Sequence, residues 1–417
     1  MPGFSFAKGN AKKLAALPLY ALGALIGLFV PRSTALWVFG CGSGIGEGSL
    51  ALYRYALATN PHLTLTWLAR DERDRDAAAA LGIPAVLKLS RRGLWLTLRA
   101  RVAVVTHGFG DVNRYGLRGA FIVQLWHGVP LKLIQLDSPA TLRISVPIVS
   151  RQVRALLRWF FRRGYQAIAL MPAASELAAG RLRTAFALPS DRVVVTGDPR
   201  DDVLSLGSAE TRASIAMGIL ARALDVAITG SRVLLYAPTW RDGEPDPAVP
   251  TTAEWLRIDG WLRSTGSTLV VRPHPNGVGD YAAGIDSSDR IHLLPARRQS
   301  DLTPILGAVD IVITDYSSVA FDYSLTGGPL FFIAPDEKSY TDSRGFYEPY
   351  RGFSGGREVR SWSAVLDQLE RFDTDAAWAS GVLAHSAALR ERHFAFHDGH
   401  NTERVYWELL RRLSARR

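Results

Sequence analysis

At 417 residues the chain is longer than one ordinary core accommodates, so two domains are expected. Hydrophobic residues make up 47% and charged residues 21%, which excludes a disordered chain, while a single cysteine, Cys41, excludes a disulfide framework and fits a reducing compartment. The 49 basic against 39 acidic residues, a net +10, favour a phosphate-bearing partner or an anionic membrane surface, and the lack of any recognisable RNA or DNA module argues against nucleic acid.

Residues 8–30 begin with Lys8, Lys12 and Lys13 and continue as LAALPLYALGALIGLFV before Pro31 and Arg32. As a helix, Leu14–Val30 would reach about 25 Å, short of the roughly 30 Å of a hydrocarbon core. Pro18, Gly23 and Gly27 weaken a span further, no convincing small-residue cleavage site follows, and the strand-like LWVFG starts almost at once. The expectation is a helix lying on the membrane with Lys12 and Lys13 at its basic start; a signal anchor and a buried core helix are the alternatives.

Trp37–Phe39 reads as the first strand. The GCGSGIGEGS that follows does not fit G-x-G-x-x-G, so it is expected to be a permissive turn before a helix over 48–58. Strands are expected at 63–68, 85–87, 102–106 and 121–125, with helical segments between some of them, which implies a parallel sheet covered on both faces. In VSRQVRALLRWFFRR, Arg151, Arg154, Arg158 and Arg162 share one helical face, opposite Val153, Leu156, Leu157, Phe160 and Phe161. That pattern suits anionic lipid, and equally a solvated helix packing its apolar side on a core. A strand at 167–171, a helix at 174–188 and a strand at 193–196 follow, and GDPRDDVL marks the crossing into a second domain.

There, 231–237 opens a new strand, PTWRDGEPDPAVP is a Pro and Gly loop, and Leu269–Val271 ends in Arg272, Pro273, His274 and Pro275. Ile311–Thr314 is a β-branched run that looks buried on both faces. Asp315, Tyr316, Ser317 and Ser318 break it before a helical pattern that Ser317 or Ser318 can cap. Such a strand-to-helix junction is a natural anion site. Beyond a strand at 330–333, PDEKSYTDSRGFYEPYRGFSGG reads as a long loop, functional or mobile, and 361–370 and 401–413 as amphipathic helices.

His127 follows the apolar FIVQL in WHGVPLK, where Gly128 and Pro130 force a turn, and Lys132 adds a nearby cation. An imidazole at the carboxyl end of a strand is placed to face a cleft and to take a proton near neutral pH. His274 repeats the arrangement, held between Pro273 and Pro275 with Arg272 before it. Imidazole, guanidinium and a capped helix start could together hold a diphosphate. No cysteine and histidine spacing resembles a zinc site, and no paired-carboxylate metal site or P-loop is present.

Taken together, WHGVPLKLIQLDS, YAPTWRD, VRPHP, ITDYSSVAFDYSL, PDEKSYTDSRGFYEPY and DGHNTERV resemble the ordered motif set of the CDP-glycerol glycerophosphotransferase family. Its members prime and polymerise teichoic acids and related glycerol phosphate or ribitol phosphate polymers. The resemblance implies an α/β glycosyltransferase-B architecture, two Rossmann-like domains facing a cleft. The expected division is a membrane-associating segment at 1–32, an acceptor-side domain at 33–197 and a CDP-donor domain at 198–417. It further implies attack by an acceptor hydroxyl on the β-phosphorus of CDP-glycerol, with loss of CMP and no organic cofactor. His127 is then the general base, and His274 with Arg272 contacts the donor phosphates. Ser317 and Ser318 bind the same diphosphate, Asp315 positions their turn, Thr239 and Arg241 line the donor side, and the loop bearing Asp336 and Arg344 closes over it. CDP-glycerol or CDP-ribitol, an undecaprenyl-diphosphate-linked acceptor and the cytoplasmic face of the membrane are the implied partners and place, the protein being peripheral.

Val129 stands where a hydroxyl residue is common after WHG, and the first glycine turn is less typical of the family; both differences fall on the acceptor side. A nucleotide-sugar-dependent glycosyltransferase is the rival enzyme, and a lipid-surface scaffold or nucleotide sensor the non-catalytic reading. The presence of both His127 and His274 argues against the latter.

Overall fold

The computed structural model describes residues 15–142, 151–226, 228, 232–241, 244–274, 277 and 279–415. It divides into two compact units. Of the described residues, the first comprises those up to His127, Ile134–Asp202, and those from Asp398 on; the second comprises Gly128–Leu133 and Val203–His397.

The first unit is built on a seven-stranded sheet of β1 (Leu36–Phe39), β2 (Thr64–Ala69), β3 (Ala85–Leu87), β4 (Val102–Val105), β5 (Phe121–Gln124), β6 (Ile168–Ala173) and β7 (Val193–Val195), in the order β3-β2-β1-β4-β5-β6-β7. Every pairing is parallel. Parallel strands need crossover helices on both faces, which is why β1 and β4 are apolar throughout, β5 is apolar up to Gln124, and all three are fully buried. Alternate residues serve opposite faces: Trp37 and Phe39 pack with Leu52 and Tyr53 of helix Glu47–Thr59 and with Val405, Tyr406 and Leu409 of helix Asn401–Ser414. Leu36 and Val38 pack with Ala103, Val105 and Ile122 on the other side. Helix Asn401–Ser414 thus completes a core whose strands lie far upstream. Its start is pinned by Asp202, whose carboxylate accepts the Asn401 and Thr402 N–H groups, both at 2.8 Å.

The second unit carries β8 (Arg232–Ala237), β9 (Ser267–Val271), β10 (Ile291–Leu293), β11 (Ile311–Thr314) and β12 (Leu330–Phe332), all parallel, in the order β10-β9-β8-β11-β12. In both sheets the strand order reverses beside the first strand, between β1 and β4 and between β8 and β11. Crevices outside the carboxyl ends of strands at such reversals are where open α/β sheets bind ligands.

Near the N-terminus the structure has a helix over Leu17–Phe29, with Pro18 in its first turn, where a missing N–H costs nothing. Among the described residues no helix is long and apolar enough to cross a membrane. Lys12 and Lys13 lie outside the described residues. The stretch expected as a long loop after β12 instead holds helices Glu337–Arg344 and Tyr350–Ser354.

Gly197, after β7, has φ +77°, and a Cβ there would lie 1.9 Å from Asn401 Oδ1. Gly197→Ala is therefore expected to lower stability by about 1–3 kcal/mol in chemical denaturation, through left-handed backbone strain and displacement of the helix start at Asn401. Unchanged denaturation would show that the helix start shifts without cost.

Candidate active site

In the second unit the site is assembled at the ends of β8, β9 and β11. Asp315 directly follows β11 and is 1% exposed. Its carboxylate accepts the Thr239 N–H at 2.9 and 3.1 Å, the Tyr316 N–H at 2.6 Å and Arg241 Nη1 at 2.9 Å. Burial pushes this carboxyl up, against the pull of Arg241. The same guanidinium makes a bidentate pair with Asp336, Nε to Oδ2 and Nη2 to Oδ1, each at 2.8 Å. Burial would raise Asp336, but Arg241 overrides it and holds the carboxyl below its ordinary value. Arg241 also lies over the rings of Tyr316 and Tyr340, at 5.1 and 4.7 Å. Arg241, Asp315 and Asp336 are thus brought together as one buried ion network joining β8, β11 and the start of helix Glu337–Arg344.

The aromatic residues of the 335–356 stretch fasten it to the same network. Tyr316 stacks on Tyr340 at 4.2 Å, packs edge-on against Tyr350 at 4.9 Å and donates its hydroxyl to Asp336 at 2.9 Å. Helix Glu337–Arg344 ends at Arg344, whose guanidinium lies 4.8 Å over the Trp240 ring, and Trp240 in turn stacks on His274 at 5.7 Å. Arg344, Trp240 and His274 form a cationic and aromatic row beside the ion network.

Lys132 reaches this region by an unusual route. Gly128–Leu133 belongs to the second unit although its flanks belong to the first. It is held by an antiparallel bridge of Lys132 with Phe346, and by bonds from Leu133 N–H to Gly345 O at 3.1 Å and from Tyr347 N–H to Leu131 O at 3.0 Å. Burial, with Arg344 and Arg241 nearby, lowers the Lys132 ammonium to about 8, against the opposing pull of Asp315. Burial first, then Lys132, Arg272 and Arg344, lowers His274 to about 3, so its imidazole is neutral at pH 7.

The remaining sequence-derived residues are placed less directly. Arg272 is buried, with Nη1 on Leu294 O at 3.2 Å and Nη2 on Ser300 O at 3.3 Å, so its charge sits behind β9 as a brace. Thr239 is 5% exposed, and among the described residues its hydroxyl finds no hydrogen-bond partner. Helix Val319–Ser324 is short, and Ser318 at its start makes no side-chain cap; Ser317 Oγ instead accepts the Val319 N–H at 3.4 Å. A small cavity opens beside these groups, lined by Thr239, Trp240, Asp246, His274 and Tyr281. A larger open groove, lined by Phe372, Leu383 and Ala387, contains none of them.

In the first unit His127 follows β5 as expected, and Trp126 before it has φ +65°. The His127 ring lies 4.0 Å from the Trp126 ring and stacks on His107 at 4.4 Å with an interplanar angle of 10°. His107 follows β4, and the sequence signal that marks it is the one that marks His127, an imidazole just past an apolar strand. Donor atoms of Cys41, Glu47 and His107 lie within 4.8 Å of one another. A cation there would displace bonds the chain already makes, from Gly42 N–H to His107 Nδ1 at 3.2 Å and from Ser43 Oγ to Glu47 Oε1 at 2.6 Å. Burial, then Glu47, pushes the Cys41 thiol far up.

Helix Arg151–Tyr165 carries the expected basic face: Arg154, Arg158 and Arg162 are exposed, while the Arg151 side chain lies outside the described residues. Leu157 and Phe161 are buried with Leu136. Leu156, expected on the packed side, is 53% exposed, as is Trp159 at 61%, because the buried stripe is narrower than the apolar one.

The model of a family described as CDP-Glycerol:Poly(glycerophosphate) glycerophosphotransferase matches residues 25–411. The teichoic acid glycerol-phosphate transferase of Staphylococcus aureus is 24% identical over 405 residues, 95% of this chain and 98% of that protein. The ribitol-phosphate polymerase TarK of the same species is 29% identical over 55% of this chain, and the chain spans only 42% of that polymerase's length. Among solved structures, the wall teichoic acid polymerase TagF superposes with a TM-score of 0.74 at 19% identity, covering 99% of this chain and 98% of that one. The fold is therefore the TagF-like glycosyltransferase-B fold.

The histidine in the second unit gives a pH prediction. An unfolded imidazole binds its proton near 6.5, whereas folded His274 holds off until about 3. Between those values the unfolded chain carries more protons, so this group's contribution to stability is lost as pH falls. His274→Asn should then gain in melting temperature relative to the wild type between about pH 7 and about pH 4.5, as followed by calorimetry. An offset that stays constant with pH would contradict the buried neutral imidazole.

Proposed function

Because the chain belongs to the CDP-glycerol:poly(glycerophosphate) glycerophosphotransferase family, we propose that it transfers glycerol phosphate from CDP-glycerol to a hydroxyl of a lipid-linked saccharide or a growing polyol phosphate chain in teichoic acid type synthesis. The observation that carries this reading is the row of Arg344, Trp240 and His274 beside the ends of β8 and β9, with the Lys132 charge acting on His274. Their cationic and hydrogen-bonding groups suit a diphosphate, and their aromatic surface suits a base or ribose. Phosphoryl transfer asks chiefly for positioning and charge stabilisation, and such a site provides both.

In the proposed reaction the acceptor hydroxyl attacks the β-phosphorus of the donor. A new phosphorus–oxygen bond forms, the bond to the CMP oxygen breaks, and CMP leaves with that electron pair. His127 takes the hydroxyl proton. His274, neutral before binding, contacts the donor phosphates, and an anionic neighbour raises its affinity for a proton. Arg241, Asp315 and Asp336 act here as the frame that holds Thr239, Tyr316 and helix Glu337–Arg344 in place; the Thr239 hydroxyl, Ser317 and Ser318 lie on the phosphate side, with Arg272 as a brace. The match to TarK favours CDP-ribitol as a second donor to be tried.

The acceptor in this reading is membrane-borne, and two helices of the first unit suit that surface. Helix Leu17–Phe29 exposes Leu19, Leu22, Leu25, Leu28 and Phe29, and its Tyr20 ring meets Phe160 of helix Arg151–Tyr165 at 6.3 Å. Exposed leucines beside Trp159, Arg154, Arg158 and Arg162 make a mixed apolar and basic surface of the kind that binds anionic lipid. The protein is proposed to act peripherally at the cytoplasmic face.

Incubation with CDP-glycerol and a lipid-linked disaccharide analogue should release CMP and add glycerol phosphate to the acceptor, as read by mass. His127→Ala and His274→Ala are each expected to lower turnover by roughly 10²–10⁴-fold without unfolding the protein. Release of UDP or GDP from a nucleotide-sugar panel instead would replace the reading with a sugar transferase. Replacing Trp159, Arg154, Arg158 and Arg162 by alanine should move the protein from anionic liposomes into solution. Undiminished flotation of that variant would remove the helix from the membrane contact.

A further inference from the structure

The strand-order reversal of the first unit, between β1 and β4, holds a built cluster that none of the roles above uses. His107 sits at the end of β4, and its backbone is fixed by Asp111, one carboxylate oxygen of which accepts the N–H groups of Thr106, His107 and Gly108 at 2.8, 2.6 and 3.2 Å. Ser49 ties the two strand ends together: its hydroxyl lies 2.7 Å from Thr106 Oγ1 and 3.1 Å from Gly40 O. The His107 ring is held in turn. Gly42 N–H donates to Nδ1 at 3.2 Å, so the neutral ring carries its proton on Nε2, which faces Glu47 Oε1 at 3.9 Å. Glu47 is itself fixed, by the Ser43 hydroxyl at 2.6 Å and by a left-handed backbone with φ +54° that a glutamate adopts only under constraint. Room for the ring exists because residue 42 is glycine: a Cβ there would stand 2.8 to 3.0 Å from His107 Cγ, Cβ and Nδ1.

What this scaffold presents is one flat face, and His127 lies parallel to it at 4.4 Å. We infer that His107 is the positioning residue for His127, its ring face setting the plane in which the His127 imidazole meets the acceptor hydroxyl. Glu47, Ser43 and the turn at Gly42 hold that face in register. The inference rests on the proposed role of His127 as general base. It explains why the first turn is so rich in glycine and so heavily bonded although no dinucleotide fingerprint is present, and why a glutamate there occupies a strained conformation. Chemistry at His127 depends on direction as much as on proton affinity, and misplacing a reacting group by about 1 Å costs on the order of a hundredfold in rate.

The test is steady-state kinetics with CDP-glycerol and a lipid-linked acceptor analogue on the full chain, for His107→Ala, His107→Phe and Gly42→Ala. His107→Ala removes the face, Gly42→Ala pushes it aside while leaving it in the protein, and His107→Phe keeps a ring face without the imidazole. The first two are expected to lower kcat by about 10- to 100-fold with KM for CDP-glycerol within about twofold, and the phenylalanine to recover most of the loss. A general packing defect would not lower kcat alone and spare the KM of the donor. The inference is overturned if His107→Ala keeps kcat within about twofold, or if His107→Phe is as poor as His107→Ala. Should His107→Ala misfold, Gly42→Ala decides alone, by its kcat. His127→Ala separates the two levels: turnover retained there sinks the base assignment itself, whereas turnover lost there with His107 variants intact sinks only the positioning role.

Discussion

The second unit is organised around one guanidinium. Arg241 satisfies Asp315 with one nitrogen and Asp336 with two others, and every one of these groups is wholly or largely removed from water. Unpaired, each charge would be costly to bury; paired and hydrogen-bonded, they tie the ends of β8 and β11 to the start of a helix that the strand pattern alone leaves unattached. Truncating any one member would strand the others, so the network behaves as a single unit. Its consequence is local order in a stretch rich in polar residues, where Tyr316, Tyr340 and Tyr350 close over the ions and leave Arg344 and Trp240 facing His274.

In the first unit the charge pairs lie apart from one another, Arg70 pairing with Asp74 at the end of β2 and donating to Gly42 O at 2.7 Å, and Arg411 and Arg412 sharing Glu408. The ends of β1 and β4 are tied through the Ser49 hydroxyl and through backbone N–H groups held by Asp111, and the His127 ring is set between flat neighbours. Two parallel sheets that reverse strand order beside their first strand thus present histidines in different surroundings. Burial, and then the cations around it, keep His274 unprotonated, while the His127 ring lies against the rings of His107 and Trp126.

Much of the sheet architecture was legible in the residues because parallel strands buried on both faces leave continuous apolar runs, as Ile311–Thr314 and Val102–Val105 show. Helix Ala376–His393 was not, since its buried stripe of Val382, Ser386, Leu389 and His393 includes polar side chains and its apolar residues are spread around the axis. Helices Glu337–Arg344 and Tyr350–Ser354 were hidden for another reason: tyrosine contacts and Asp336 stabilise them, and these are tertiary. At the site, residue types and strand-end positions pointed to His127, His274 and Asp315. Composition could not show that Arg241 is spent on two carboxylates, that Lys132 joins the second unit, or that His107 lies against His127, because each depends on which strand ends become neighbours.

The arrangement of the first unit also bears on how the polypeptide is made. Val405, Tyr406 and Leu409 complete the core around Trp37 and Phe39, yet all of Val203–His397 is synthesised between that helix and β7. On the ribosome the seven-stranded sheet must therefore wait, one apolar face incompletely covered, until the whole intervening unit has emerged. Vectorial synthesis favours the later-encoded unit reaching its finished core first, and an emerging chain with this order has its greatest need of chaperone shielding on the face that Asn401–Ser414 eventually covers.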